Sequence, residues 1–151
     1  MSPAPTPAAA PPLSRLARLG MVGWVLAVIS VFLLAARLEP DVRGFGTHQQ
    51  LGFPPCTFRF LWQIPCPSCG GTTSFACFVR GNWPASASAN AGAFFLAIVM
   101  TLSIPWCLIS LWQGTTWQVR DPLWTSLLLM LVFVGLTALL WIGRLVALRF
   151  S

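Results

Sequence analysis

Three long apolar runs dominate the pattern of hydrophobic and polar positions along this chain. They cover residues 19–36, 91–111 and 123–142. Each is close to the roughly 17–25 residues that a helix needs to cross a bilayer. Helices satisfy their own backbone hydrogen bonds, so they can cross hydrocarbon without partners. The pattern therefore predicts an all-α integral membrane protein with three transmembrane helices.

The two longest segments outside these runs have different characters. Residues 1–18 begin with a Pro/Ala-rich stretch without apolar periodicity, which predicts a disordered tail before a single membrane domain at residues 19–151. Residues 37–90 form a long loop between the first two spans. Within this loop, Pro67 and Gly81 are typical of helix boundaries and predict a short helix over residues 67–80. Its apolar side favours a position at the membrane interface.

Composition supports the membrane assignment and narrows the partners. Hydrophobic residues make up 56% of the chain and charged residues only 8%, which is too few to cover a soluble domain with polar surface. The net charge of +6 comes from arginines spread along the chain rather than clustered, so the sequence does not predict nucleic-acid binding. The expected partners are the lipid bilayer and another membrane protein.

The long loop also contains a Cys-x-x-Cys motif, formed by Cys66 and Cys69. With Pro67 at the first position of the predicted helix, Cys66 would be its N-cap and Cys69 would lie in its first turn. The positive end of the helix dipole favours a thiolate there. The motif therefore indicates either metal binding or thiol chemistry.

A metal site is the first hypothesis. His48 and Cys56 precede the motif in the same loop. Together with Cys66 and Cys69 they provide three sulfur ligands and one nitrogen ligand, a set that tetrahedral zinc accepts in structural sites. This hypothesis predicts a non-enzymatic protein whose loop is made rigid by zinc and presents a surface to a partner.

Two other interpretations use the same residues. In a membrane thiol-disulfide oxidoreductase, Cys66 would attack and Cys69 would resolve the mixed disulfide. Alternatively, the cysteines are small buried residues without chemistry, which is the expected role of Cys77 and Cys107. The arginine distribution leans towards a cytoplasmic loop, and a reducing cytosol favours metal-binding thiols over a disulfide.

Several motifs resemble one known family. They are Gly-Thr-His-Gln-Gln-Leu-Gly-Phe-Pro-Pro-Cys at residues 46–56, Pro-Cys-Pro-Ser-Cys-Gly-Gly-Thr-Thr-Ser-Phe at residues 65–75, and Arg-Gly-Asn at residues 80–82. Together, over about residues 43–106, they resemble the small bacterial membrane proteins grouped as domain of unknown function 2752. Gln49 stands where that family has an acid, and Ala91 where it has proline. The resemblance implies a helical, multi-pass protein of the bacterial inner membrane and implies no activity.

Overall fold

The computed structural model of the protein describes residues 12–116, 119 and 122–149. All regular elements in this part of the chain are helical, which confirms the predicted fold class. They are α1 (Arg15–Arg37), a 3-10 helix (Thr47–Leu51), α2 (Thr57–Trp62), α3 (Gly71–Val79), α4 (Trp83–Ala89), α5 (Ala91–Gln113) and α6 (Pro122–Arg149).

Three of these helices are long and apolar enough to cross a membrane. They are α1, α5 and the Trp124–Ala147 part of α6. At most 17% of each span is buried inside the protein, so most of their apolar surface is available to lipid. The prediction of three spans is confirmed, and the chain is a multi-pass membrane protein.

The ends of the spans differ from the predicted ones. Helix α1 begins at Arg15, within the predicted tail, because the Ser14 hydroxyl accepts a hydrogen bond from the Ala17 N–H at 3.1 Å and caps the helix. Residues 1–11 of that tail lie outside the described residues. Helix α6 continues past residue 142 to Arg149.

The short helix between the first two spans is present, but it begins later than predicted. Helix α3 starts at Gly71, whereas Pro67 is the second residue of a turn in which the Cys69 N–H donates to the Cys66 carbonyl at 3.0 Å. Gly70, with φ of +84°, separates this turn from the helix. The prediction that Cys66 caps the helix and that Cys69 lies in its first turn is therefore wrong.

Helix α3 packs against α1, α4 and α5. The Phe32 ring of α1 lies 6.0 Å from that of Phe78, which also meets the Phe94 ring of α5 at 5.9 Å. On the side facing α4, the buried Ser86 hydroxyl donates to the Ser74 carbonyl at 2.8 Å. These contacts form a compact platform beside the cysteine-containing turn.

The C-terminal end of α1 is tied to the same platform. The Arg80 guanidinium, at the end of α3, donates to the Ala35 carbonyl at 3.3 Å and to the Ala36 carbonyl at 3.0 Å. The last carbonyls of a helix lack partners within it. Arg80 therefore provides hydrogen-bond donors to carbonyl groups at the end of the first span.

Candidate metal centre

Three cysteine sulfurs converge beside α2. The Sγ atoms of Cys56, Cys66 and Cys69 all lie within 4.8 Å of one another. Thiolates on a tetrahedral zinc ion lie roughly 3.8 Å apart, because each Zn–S bond is about 2.3 Å long. Side-chain shifts of at most about 1 Å would therefore give ligand geometry. This cysteine cluster, Cys56, Cys66 and Cys69, could hold a metal ion.

The local fold of residues 56–69 brings the three sulfurs together. Cys56 lies at the N-cap of α2, and the helix ends at Gln63 in the left-handed conformation, with φ of 57°. This reversal returns the chain, so that Cys66 comes back beside Cys56. The turn from Cys66 to Cys69 then presents both of its cysteines on the same side.

Asn90 fixes the cysteine turn to the second span. Its side-chain amide donates to the carbonyls of Pro67 and Cys69, both at 3.0 Å. Its side-chain oxygen accepts from the Ala93 N–H at 2.9 Å and so caps α5. One side chain thus positions the turn and begins the transmembrane helix.

Gly70 allows the chain to approach its neighbours closely at the end of the turn. A Cβ atom there would lie 2.5 Å from the Ala89 carbonyl oxygen and 2.6 Å from that of Gly44. Both atoms belong to backbone, which cannot move aside as a flexible side chain can. Together with the positive φ, this contact requires glycine.

The third span also contacts this region. The Trp141 indole N–H donates to the Pro65 carbonyl at 2.8 Å, immediately before Cys66. One turn later, the Arg144 guanidinium donates to the Ala89 carbonyl at 3.1 Å. The loop is therefore held by α5 and α6 together.

Arg59 is a site residue that the sequence analysis missed. Its guanidinium lies 3.5 Å from the centroid of the Phe45 ring, and its Nη1 is 4.0 Å from the Cys69 sulfur. A cation in this position would offset the negative charge of a metal–thiolate centre. The sequence does contain one indication of this role, because Arg59 is the only arginine or acidic residue between Arg43 and Arg80.

The Cys56 and Cys66 thiols are not equivalent. Burial and the adjacent Cys56 thiol raise the pKa of Cys66 to about 11. Burial also opposes ionisation of Cys56, but the neighbouring Arg59 N–H and the Cys66 thiol stabilise its thiolate, and the pKa of Cys56 falls below its usual value.

His48 lines the same cavity as the cysteine cluster, a space of about 550 Å³ that also exposes Arg59. Its Nε2 lies 3.2 Å from the Pro54 carbonyl oxygen. It is outside the group of mutually close ligand atoms found among the described residues, so its role as a ligand stays a prediction. Cys77 and Cys107 are buried and lie outside the cluster.

The comparison with family models bears on this same segment. The model described as Protein of unknown function (DUF2752) matches residues 56–104. The chain carries a DUF2752 segment. This confirms the resemblance found in the sequence, over about a third of the chain. The DUF2752 match begins at Cys56 and contains the cysteine turn and Asn90. No curated protein and no solved structure matches the chain.

Proposed function

We propose that this chain is a small protein of the bacterial inner membrane whose cysteine cluster binds zinc in a structural, non-catalytic site. The observation that carries the proposal is the convergence of three sulfurs within 4.8 Å. Three thiols make a better metal site than a simple dithiol pair, and zinc favours thiolate ligands in a tetrahedral arrangement. His48 is the proposed fourth ligand, since its ring lines the same cavity.

The metal would connect two parts of the loop that are otherwise held separately. Cys56 begins α2, whereas Cys66 and Cys69 belong to the turn that Asn90 fixes to α5. A bound ion would cross-link them and make the loop rigid. Binding energy of this kind is added to folding energy, because the site does not exist in the unfolded chain.

The rigid loop would present a polar surface to another membrane protein. The mouth of the cavity carries guanidinium, imidazole and amide groups, supplied by Arg43, His48, Gln49 and Gln63. These groups can donate hydrogen bonds, and the cavity lining contains no acid. We propose that they contact acidic or carbonyl groups of the partner.

Metal analysis of the purified protein tests the proposal. Protein prepared under reducing conditions should contain one zinc per chain, and exchange into cobalt should give the charge-transfer absorption of thiolate ligands. Cys56→Ser, Cys66→Ser and Cys69→Ser should each reduce the zinc content strongly. Cys77→Ser and Cys107→Ser are matched controls and should retain it, since both cysteines lie outside the cluster.

Two further results discriminate between the hypotheses. His48→Ala should weaken zinc binding without abolishing it if His48 is the fourth ligand. Wild-type protein that binds neither zinc nor cobalt would refute the metal site. A reversible disulfide within the cluster in that same protein would favour the oxidoreductase.

A further inference from the structure

Helix α2 and its flanking residues carry an exposed apolar surface. It is formed by side chains that are between 38% and 75% exposed, namely Phe53, Phe58, Phe60, Leu61, Trp62 and Ile64. We call this surface the aromatic strip. Several large apolar side chains exposed on one short segment mark a surface that is covered by a partner or by lipid.

No other part of the described chain covers the aromatic strip. The remaining helices pack against one another, but none of them packs across α2. The one charged residue of α2, Arg59, is directed to Phe45 and Cys69 on the cavity side. The strip is therefore both uncovered and uncharged.

The hydrogen bond from Trp141 to Pro65 locates the strip along the third span. Trp141 lies within the span Trp124–Ala147, and Pro65 directly follows the last residue of the strip. Trp141 lies six residues before Ala147, where this span ends. Six residues correspond to about 9 Å along a helix. Pro65 is thus held beside a residue that lies inside the end of the part of α6 that is long and apolar enough to cross a membrane.

From these observations we infer that the aromatic strip inserts into the interfacial layer of the bilayer and that its partner is lipid. The strip continues the apolar surface of the three spans at the level where those spans end. Tryptophan and phenylalanine suit this layer, and so does a short amphipathic segment that lies in its plane. A water-soluble protein partner is disfavoured, because it would have to reach a surface at the level of the membrane spans.

This arrangement also positions the cysteine cluster. Helix α2 connects Cys56 to Cys66, and its opposite side carries Arg59 beside the cavity. With the aromatic strip in the bilayer, the cluster lies at the membrane surface, and Phe60 connects the strip to the cavity that contains the cluster. This inference goes beyond the zinc site and holds with or without metal.

Fluorescence quenching in vesicles of defined phospholipid tests the insertion. The difference between the spectra of wild-type protein and Trp62→Phe isolates the Trp62 emission. Phospholipids brominated on the acyl chain should remove most of it, whereas aqueous acrylamide should have little effect. Trp24→Phe supplies the reference for a tryptophan within a span, and free N-acetyltryptophanamide supplies the aqueous reference.

The opposite quenching pattern would overturn the inference. Trp62 emission that acrylamide quenches as it quenches the aqueous reference, with little effect of bromolipid, would mean that the strip faces water in the absence of a protein partner. Phe60→Glu gives a second test, because Phe60 is 75% exposed and is the most exposed side chain of the strip. The charge should shift Trp62 towards acrylamide quenching, whereas Thr57→Glu, outside the strip, should not. All measurements are repeated in the presence of a metal chelator. The test of insertion therefore remains valid even if the protein binds no zinc.

Discussion

The Trp141 indole N–H donates to the Pro65 carbonyl at 2.8 Å, although the two residues are 76 positions apart in the chain. This bond joins the third span to the residue immediately before the cysteine turn. Removing it should therefore weaken both the attachment of α6 and the position of Cys66.

Trp141→Phe keeps an aromatic ring but removes the donor. We expect the free energy of unfolding to fall by about 1 kcal/mol, the net contribution of one hydrogen bond, with a further loss if the carbonyl remains without a partner. Unfolding in mixed detergent micelles measures the change. Trp112→Phe is the control, because Trp112 is 87% exposed and should cost little. Equal stability of the two variants would contradict the coupling.

Gly70→Ala should be among the most destabilising single substitutions in the loop. The new Cβ would have to displace the backbone of Ala89 or Gly44, at a cost of more than about 3 kcal/mol. Gly52→Ala is matched in conformation, with φ of +81°, but meets open space, so it should cost only about 1 kcal/mol. Thermal unfolding of the two variants in detergent separates the close contact from the backbone conformation.

Arg59→Gln should weaken zinc binding about tenfold, or about 1.4 kcal/mol. Three thiolates on a divalent ion leave a net negative charge, which the guanidinium beside Cys69 offsets. The comparison is Arg43→Gln, since Arg43 also lies over Phe45, at 5.2 Å, but is paired with Asp41. Competition with a chromophoric chelator gives both affinities. Equal losses would mean that general positive charge, rather than the position of Arg59, is responsible.

The Asp41–Arg43 pair predicts how the loop responds to acid. Hydrogen bonds from the Arg43 side chain and N–H lower the pKa of Asp41 to about 2, from an ordinary value of about 3.9. A lowered pKa in the folded protein means that the contribution of the pair is complete above about pH 4. It is lost as the pH falls through about 2.

Measurements of stability from about pH 5 to about pH 2, a range that brackets the ordinary carboxyl pKa, check this expectation. Wild type should lose stability across the interval more steeply than Asp41→Asn, which has no carboxyl to protonate. Parallel curves for the two proteins would show that Asp41 contributes nothing to the acid response.

The spans could be predicted from sequence because their cause is local. Residues 91–111 are apolar almost throughout, and any bilayer forces such a segment into a helix. The helix ends were less predictable, because caps depend on single side chains. Ser14 began the first helix within a segment whose composition indicated disorder.

The site was only partly predictable, because its geometry depends on distant contacts. The Cys-x-x-Cys spacing drew attention to Cys66 and Cys69, but Pro67 suits the second position of a turn as well as the first of a helix. The contacts of Gly70 with Ala89 and Gly44 select the turn. Neither those contacts nor the approach of Arg59 to Cys69 leaves a periodic pattern in the sequence.

The bonds from Arg80 to the end of α1 have a consequence for the order of assembly during synthesis. Arg80 follows Ala36 by 44 residues and precedes the first residue of α5. A growing chain therefore holds its first span without this donor until the entire cysteine-containing segment has left the ribosome. The donor then emerges before the second span does, so the loop can close the first helix before another hydrophobic segment competes for it.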